Sequence, residues 1–267
     1  MDAEKKHMKQ WVKRHKNGLF LLLLIALVWI SGYGLDYSAF ADFSSELAVG
    51  TWRGLMHPDW HYFYDGSGED VVSLMSLTIA IAFVGTCIGT VFAIPFALLA
   101  SANLWRKNAF VPKLGKLILD VIRSFPELIY AIIFVKMVGP GPFAGVMAIG
   151  VHQIGMLGKL FCEEMEKIDE SSIEACHGVG ANAIQTMVYA RLPQVLPIDA
   201  SLVLNHFEIG VRSASTLGLV GAGGIGAPLI FAIQARNWDK VSMILLTVII
   251  TVYCLDGLTG YIRKKLR

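Results

Sequence analysis

The chain has 267 residues, of which 55% are hydrophobic and only 16% charged, against about 25% charged in an ordinary soluble domain. Lys and Arg number 23 and Asp and Glu 21, for a formal charge of +2, and the mean hydropathy is +0.57. These values fit neither a disordered chain, nor a nucleic-acid binder, nor an ordinary soluble enzyme. The few charges are also clustered. None occurs from Val71 to Trp105, and further charge-free runs cover Leu19–Leu35, Gly139–Gly158, Ser213–Ala235 and Val241–Leu255. Since about 20 apolar residues cross a bilayer core, the reading is an all-α polytopic membrane protein.

Six helical crossings are predicted in chain order. They cover Leu19 to Leu35, Val71 to Ala100, Leu114 to Val138 with a bend at Pro126, Phe143 to Leu160, a fifth starting after Pro193 and including Asn205 to Arg212, and Val241 to Tyr261. Basic residues concentrate in the tail 1–18, at Arg106, Lys107, Lys113 and Lys116, and in the tail 263–267. The loop 36–70 carries seven acidic residues and Arg53 as its one Lys or Arg. By the positive-inside rule both termini lie in the cytoplasm and the loop 36–70 lies outside, which an even number of spans satisfies. The basic start and Ala39-Phe40-Ala41 together resemble a signal peptide with its cleavage site. The apolar run is long for that, and the small-residue site follows the bulky Trp29 and Tyr33. A retained first span, 19–35, is therefore expected, ahead of a transmembrane domain at 71–262.

Cys87, Cys162, Cys176 and Cys254 form no C-x-x-C pair or metal-ligand spacing, so neither a disulfide nor a metal site is expected. His57 and His61 around Asp59 are read as ordinary loop residues. Trp11, Trp29, Trp60 and Trp238 fall near the predicted interfaces, as an aromatic belt does.

The polar stretch 163–193 between the fourth and fifth spans is too long for a plain connection. Ser171 and Glu174 have capping-box spacing, which predicts a helix from near Ser172. Gly178 and Gly180 then break it, and a second helical stretch, Ala183–Arg191, leads to Leu192-Pro193. The product is a compact helix–turn–helix knob on the cytoplasmic side.

Glu174-Ala175-Cys176, three residues, Gly180, nine residues, Ala190, Arg191 and Leu192-Pro193 resemble the EAA loop of ABC-importer permeases. Cys176 stands where that pattern has its second alanine, and Ala190 where it has isoleucine. Gly139-Pro140-Gly141-Pro142-Phe143-Ala144-Gly145-Val146, Phe207-Glu208, Val211-Arg212-Ser213-Ala214, Gly218 and Gly221–Gly226 are similar to the phosphonate-transporter permease subfamily. The likeness runs from about Val72 to Asp256. It implies a type I permease architecture of about six spans in the cell membrane. Glu174, Ala175, Cys176, Gly180, Leu192 and Pro193 would couple to a separate cytoplasmic ATPase subunit. That subunit would hold ATP and Mg, with no cofactor in this chain, and no phosphate-binding G-x-x-x-x-G-K-[ST] occurs here. An outer substrate-binding protein and a second permease copy complete the implied assembly. The implied substrate is phosphonate or a related oxyanion: phosphite, hypophosphite or phosphate. A permease for another solute, such as an amino acid, is the alternative. A membrane-embedded enzyme lacks a gathered acid, base and nucleophile, and a secondary transporter leaves the EAA loop unexplained.

Charges inside spans are costly and usually face a cavity or each other. Glu208 and Arg212 share one helix face, and Arg212 lies about 30 Å along the helix from Pro193, toward the outer half. Arginine's planar fork suits an oxyanion, and Ser213, Ser215 and Thr216 would add hydroxyl donors. A plain ion pair between the two is the competing reading. Arg123 and Glu127 are expected to pair across Pro126, and His152 and Gln153 to line the same path or to join helices. Gly221, Gly223 and Gly226 satisfy G-x-G-x-x-G outside any βαβ unit, so no nucleotide is expected. With Gly224 they read instead as a sharply turning segment beside the outer gate.

Overall fold

The computed structural model describes residues 18, 20–33, 44–105 and 108–266. Residues 1–17, the Ala39-Phe40-Ala41 site, Arg106, Lys107 and Arg267 lie outside the described residues. No strand occurs among those described. The chain divides into two compact units, with the boundary after Gly50. The first unit contains α1 (Phe20–Tyr33), a short apolar helix whose side chains, such as Leu22 and Trp29, are exposed.

The second unit starts within α2 (Ser45–Leu55). It continues with α3 (Val71–Ala100), α4 (Phe110–Ser124), α5 (Glu127–Val138), α6 (Pro142–Glu166), α7 (Glu170–Gly178), α8 (Ala183–Thr186), α9 (Leu192–Leu217), α10 (Gly226–Gln234) and α11 (Trp238–Leu266). Of these, α3, α6 and α11 are long and apolar enough to cross a membrane. The 26-residue α9 has the length, about 39 Å, but carries two prolines and several polar residues.

Pairing of α3 with α6 forms the centre of the unit. Small residues allow it: a Cβ on Gly85 would stand 2.8 Å from Ile149 Cγ2, and one on Gly89 would collide with Gln153. Close backbone approach of this kind drives helix association where lipid removes the hydrophobic incentive. Ala93, Ala97 and Ala100 of α3 then meet Leu119 of α4 and Leu157 and Phe161 of α6. Many large apolar side chains face outward, Phe83, Val91, Phe231 and Ile249 among them.

The third expected span is two helices rather than one bent helix. Phe125 (φ −83°, ψ 129°) and Pro126 (φ −58°, ψ 140°) are extended and separate α4 from α5. Proline disfavours helical backbone at the preceding residue and cannot donate to the carbonyl four positions back. That carbonyl, of Ile122, instead accepts from the Tyr130 hydroxyl at 2.7 Å.

Other boundaries also move. Helix α6 extends to Glu166, so the polar stretch begins as helix, and α11 runs to Leu266, taking in Arg263. At the other end of α11, the last turn of α2, within the second unit, packs on its first turns. The Ser242 hydroxyl donates to the Leu55 carbonyl at 2.6 Å, and a Cβ on Gly54 would stand 2.5 Å from Trp238 Cβ.

Candidate functional site

Two regions gather the residues that the sequence singles out. The first is the knob, α7 with α8 and the turn between them. Its N-cap is Asp169, not Ser171: the carboxylate accepts from the Ser171 amide at 3.0 Å and from the Ser171 hydroxyl at 2.5 Å. These bonds favour the charged form and hold the Asp169 carboxyl below its ordinary value. Ser171 thus serves as donor to the cap, and the helix starts at Glu170 rather than Ser172. The Gln194 side chain accepts from the Asp169 amide at 3.0 Å, tying the knob to the first turn of α9.

Gly178 is still helical, so the reversal falls on Gly180 alone, with φ +82°. The Gly180 amide donates to the His177 carbonyl and the Ala181 amide to the Cys176 carbonyl, both at 3.0 Å. Asn182 and Gln185 then form a reciprocal capping box at 2.9 Å each way. Met187–Arg191 winds as a π turn and delivers Leu192 and Pro193 to the start of α9. Glu174 and Ala175 are exposed and Cys176 is half-buried. Glu174 lines a cavity of about 560 Å³ with His177, Arg191 and Trp105. The same segment exposes Val179 (85%), Ile184 (75%) and Tyr189 (75%). Motif spacing does not single these three out, although apolar residues inside a polar loop are a signal for them.

The second region lies within the helices. The Arg212 guanidinium donates to Glu208 at 2.5 Å, as the spacing predicts. The Glu208 side chain is only 8% exposed, and Arg263 of α11 approaches its other oxygen at 3.7 Å. Arg123 does not pair with Glu127. The helix break separates them, and Arg123 reaches Asp120 one turn back at 3.2 Å, while the Glu127 carboxyl approaches Ser213. The His152 ring approaches the Phe125 backbone at the same break. The Gln153 amide donates to the His206 carbonyl at 3.1 Å, joining α6 to α9. Two of the three expected hydroxyl donors are already committed. Ser215 donates to the Val211 carbonyl at 3.0 Å and Thr216 to the Ser213 carbonyl at 2.8 Å, the local back-bonding usual for such residues in helices.

The glycine segment turns back as expected. After the short 3₁₀ turn Gly218–Val220, Gly221, Gly223 and Gly224 have φ of +87°, +82° and +76°. The chain is pinned on both sides. The Gly141 amide donates to the Gly221 carbonyl at 2.8 Å, and the Ile225 amide donates to the Thr78 hydroxyl at 2.9 Å. A Cβ on Gly223 would stand 2.8 Å from the Pro142 nitrogen, and one on Gly226 would collide with the Ser215 carbonyl. The two glycine-rich stretches, 139–145 and 221–226, therefore pack backbone to backbone, a contact that spacing along the chain could not reveal.

Residues 89–267 match the model of the family described as binding-protein-dependent transport system inner membrane component. The chain is 37% identical over 190 residues to the phosphite transport system permease protein PtxC of Stutzerimonas stutzeri, covering 71% of this chain and 69% of that one. It is 36% identical to the phosphate-import permease protein PhnE of Mycolicibacterium smegmatis, covering 82% of this chain and 40% of that protein. The fold resembles the MetNI methionine ABC transporter in inward-facing form, with TM-score 0.63 and 20% identity, over 84% of this chain and 100% of that one. A helical unit with three membrane-length helices, a helix–glycine–helix knob and a pinned glycine turn thus goes with matched sequence over most of its length, and the chain belongs to the binding-protein-dependent transport system inner membrane component family, as a multi-pass permease of ABC-importer type.

Proposed function

We propose that this chain forms the translocation path of an ATP-driven importer for phosphonate or a related phosphorus oxyanion: phosphite, hypophosphite or phosphate. The observation that carries the substrate class is the 37% identity to a phosphite permease. The exposed face of Arg212 beside a buried Glu208 agrees with it, because a guanidinium offers a planar donor fork to a tetrahedral anion. The knob is the coupling element. Glu174, Ala175, Cys176 and Gly180, supported by Leu192 and Pro193, present it to a separate cytoplasmic ATPase subunit that binds ATP and Mg. Val179, Ile184 and Tyr189 supply apolar contact there. An extracytoplasmic binding protein delivers the anion at the glycine-turn end, where Gly221, Gly223, Gly224 and Gly226 brace the outer gate. Arg123, Glu127, His152 and Ser213 flank the path at the α4–α5 break. Two copies enclose the path, and both termini lie in the cytoplasm. No nucleic acid is involved.

The test is ATP-dependent uptake by proteoliposomes holding this permease, the ATPase subunit that co-purifies with it and the corresponding binding protein. Phosphite, phosphate and methylphosphonate are compared with methionine. Uptake of at least one phosphorus anion, without methionine uptake, is expected. Methionine uptake alone would favour the amino-acid reading.

A further inference from the structure

Glu208 has two cations within reach. Its Oε1 accepts from Arg212 Nη2 at 2.5 Å, one turn along α9. Its Oε2 faces Arg263 Nη2 of α11 at 3.7 Å, and the same nitrogen stands 3.7 Å from Asp256 Oδ1. Arg263 Nε is buried without a hydrogen-bond partner among the described residues. One buried carboxylate therefore lies between a guanidinium in contact and a second held short of hydrogen-bonding distance, with donor capacity unused.

A buried carboxylate that loses its contact partner pays the desolvation of its charge. An anion that draws the Arg212 fork away would leave Glu208 in that condition. Arg263 can prevent it, since a movement of about 1 Å closes its approach to the roughly 2.8 Å of a charge-assisted hydrogen bond. Asp256, whose side chain is 62% exposed, is then left to solvent, where its charge is easily hydrated.

The geometry points to Arg263 as a positioning residue for anion passage: it takes over the Glu208 carboxylate when Arg212 turns its guanidinium to the anion. The inference rests on the reading of Arg212 given above. It makes Arg263 part of the path's function although α11 contributes nothing else to the cluster but Asp256.

The test has a readout that needs no substrate. Phenylglyoxal labelling of Arg212 in the reconstituted permease, followed by peptide mass spectrometry, reports how firmly Glu208 holds it. Arg263→Gln leaves Glu208 to Arg212 alone, so labelling should slow about threefold, whereas Arg263→Lys should stay near the parent rate. Asp256→Asn, at an exposed position where folding is safe, frees Arg263 for Glu208 and should speed labelling. In a Glu208→Gln background, adding Arg263→Gln should change nothing. In uptake assays Arg263→Gln should raise KM about tenfold more than it lowers kcat, because the anion must then compete with Glu208 for Arg212. Unchanged labelling in both Arg263→Gln and Asp256→Asn would overturn the inference, as would an equal effect of Arg263→Gln with and without Glu208. Failure of the parent to take up any phosphorus anion would instead overturn the substrate reading, and the labelling series would still decide the role of Arg263.

Discussion

The Thr78 hydroxyl accepts a hydrogen bond from the Ile225 amide at 2.9 Å while donating to the Leu74 carbonyl at 2.8 Å, so one side chain of α3 pins the glycine turn that follows α9. Thr78 is fully buried and Ile225 nearly so. Thr78→Val keeps the shape and removes the acceptor, leaving a buried amide without a partner at a cost of about 1–3 kcal/mol. The purified permease should melt earlier, whereas Thr78→Ser should stay close to the parent. Equal melting of the Val variant and the parent would show that the turn is held by other contacts.

Gly180 is required for its backbone angle rather than for space, because a Cβ there would meet nothing within 4 Å at φ +82°. Gly180→Ala should cost the turn about 1 kcal/mol, and Asn, which tolerates that region, should cost less. Gly180→Val should insert normally yet release the ATPase subunit and abolish transport. Full retention of that subunit with full transport would contradict the coupling role of the knob.

Asp169 gives the knob a pH dependence of defined sign. Its carboxyl is held below the ordinary value by the Ser171 bonds. Its contribution to α7 is therefore complete above the unfolded value of about 3.9 and is lost as pH falls through the lower folded value. Amide exchange in α7, after correction for intrinsic rates, should gain little between pH 8 and 5 and rise as the pH approaches 4 and below. Asp169→Ala should show the elevated exchange at every pH. An acid-induced change already complete at pH 6 would assign it to another group.

Much of this was legible in the sequence because apolar runs and charge bias are local signals: the limits of α3 and the existence of α6 and α11 follow from them. The Glu208–Arg212 pair and the turn at Gly180 are local too. Features made by distant residues were not legible. Arg263 reads as part of a basic tail until α11 carries it to Glu208. The close packing of 139–145 on 221–226 depends on tertiary approach. Pro126 signalled a bend, but the complete break needed an acceptor's new partner, Tyr130, eight residues on. Helix α2 lies in an acidic loop, and although its apolar and polar residues segregate at helical spacing, its eleven residues are too few to register as a span.

The orientation has its own check. With the four native cysteines removed, cysteines placed at Ser45 and Ser67 should react in intact cells with a membrane-impermeant thiol reagent. Reaction only after lysis would reverse the sidedness of the knob and of the glycine turn together.

Uptake by the double variant Arg212→Met, Glu208→Leu tests anion recognition by Arg212 most directly. Only the Glu208 side of the pair is buried; replacing an ion pair with apolar residues of similar size is often neutral for folding, and Arg263 keeps Asp256 as a partner. With expression and ATPase-subunit binding matched to the parent, phosphite uptake should vanish in the double variant and fall, without vanishing, in Arg212→Lys, which keeps the charge and loses the fork. Normal uptake by the double variant would contradict recognition at Arg212 and reduce the pair to a structural tie within α9.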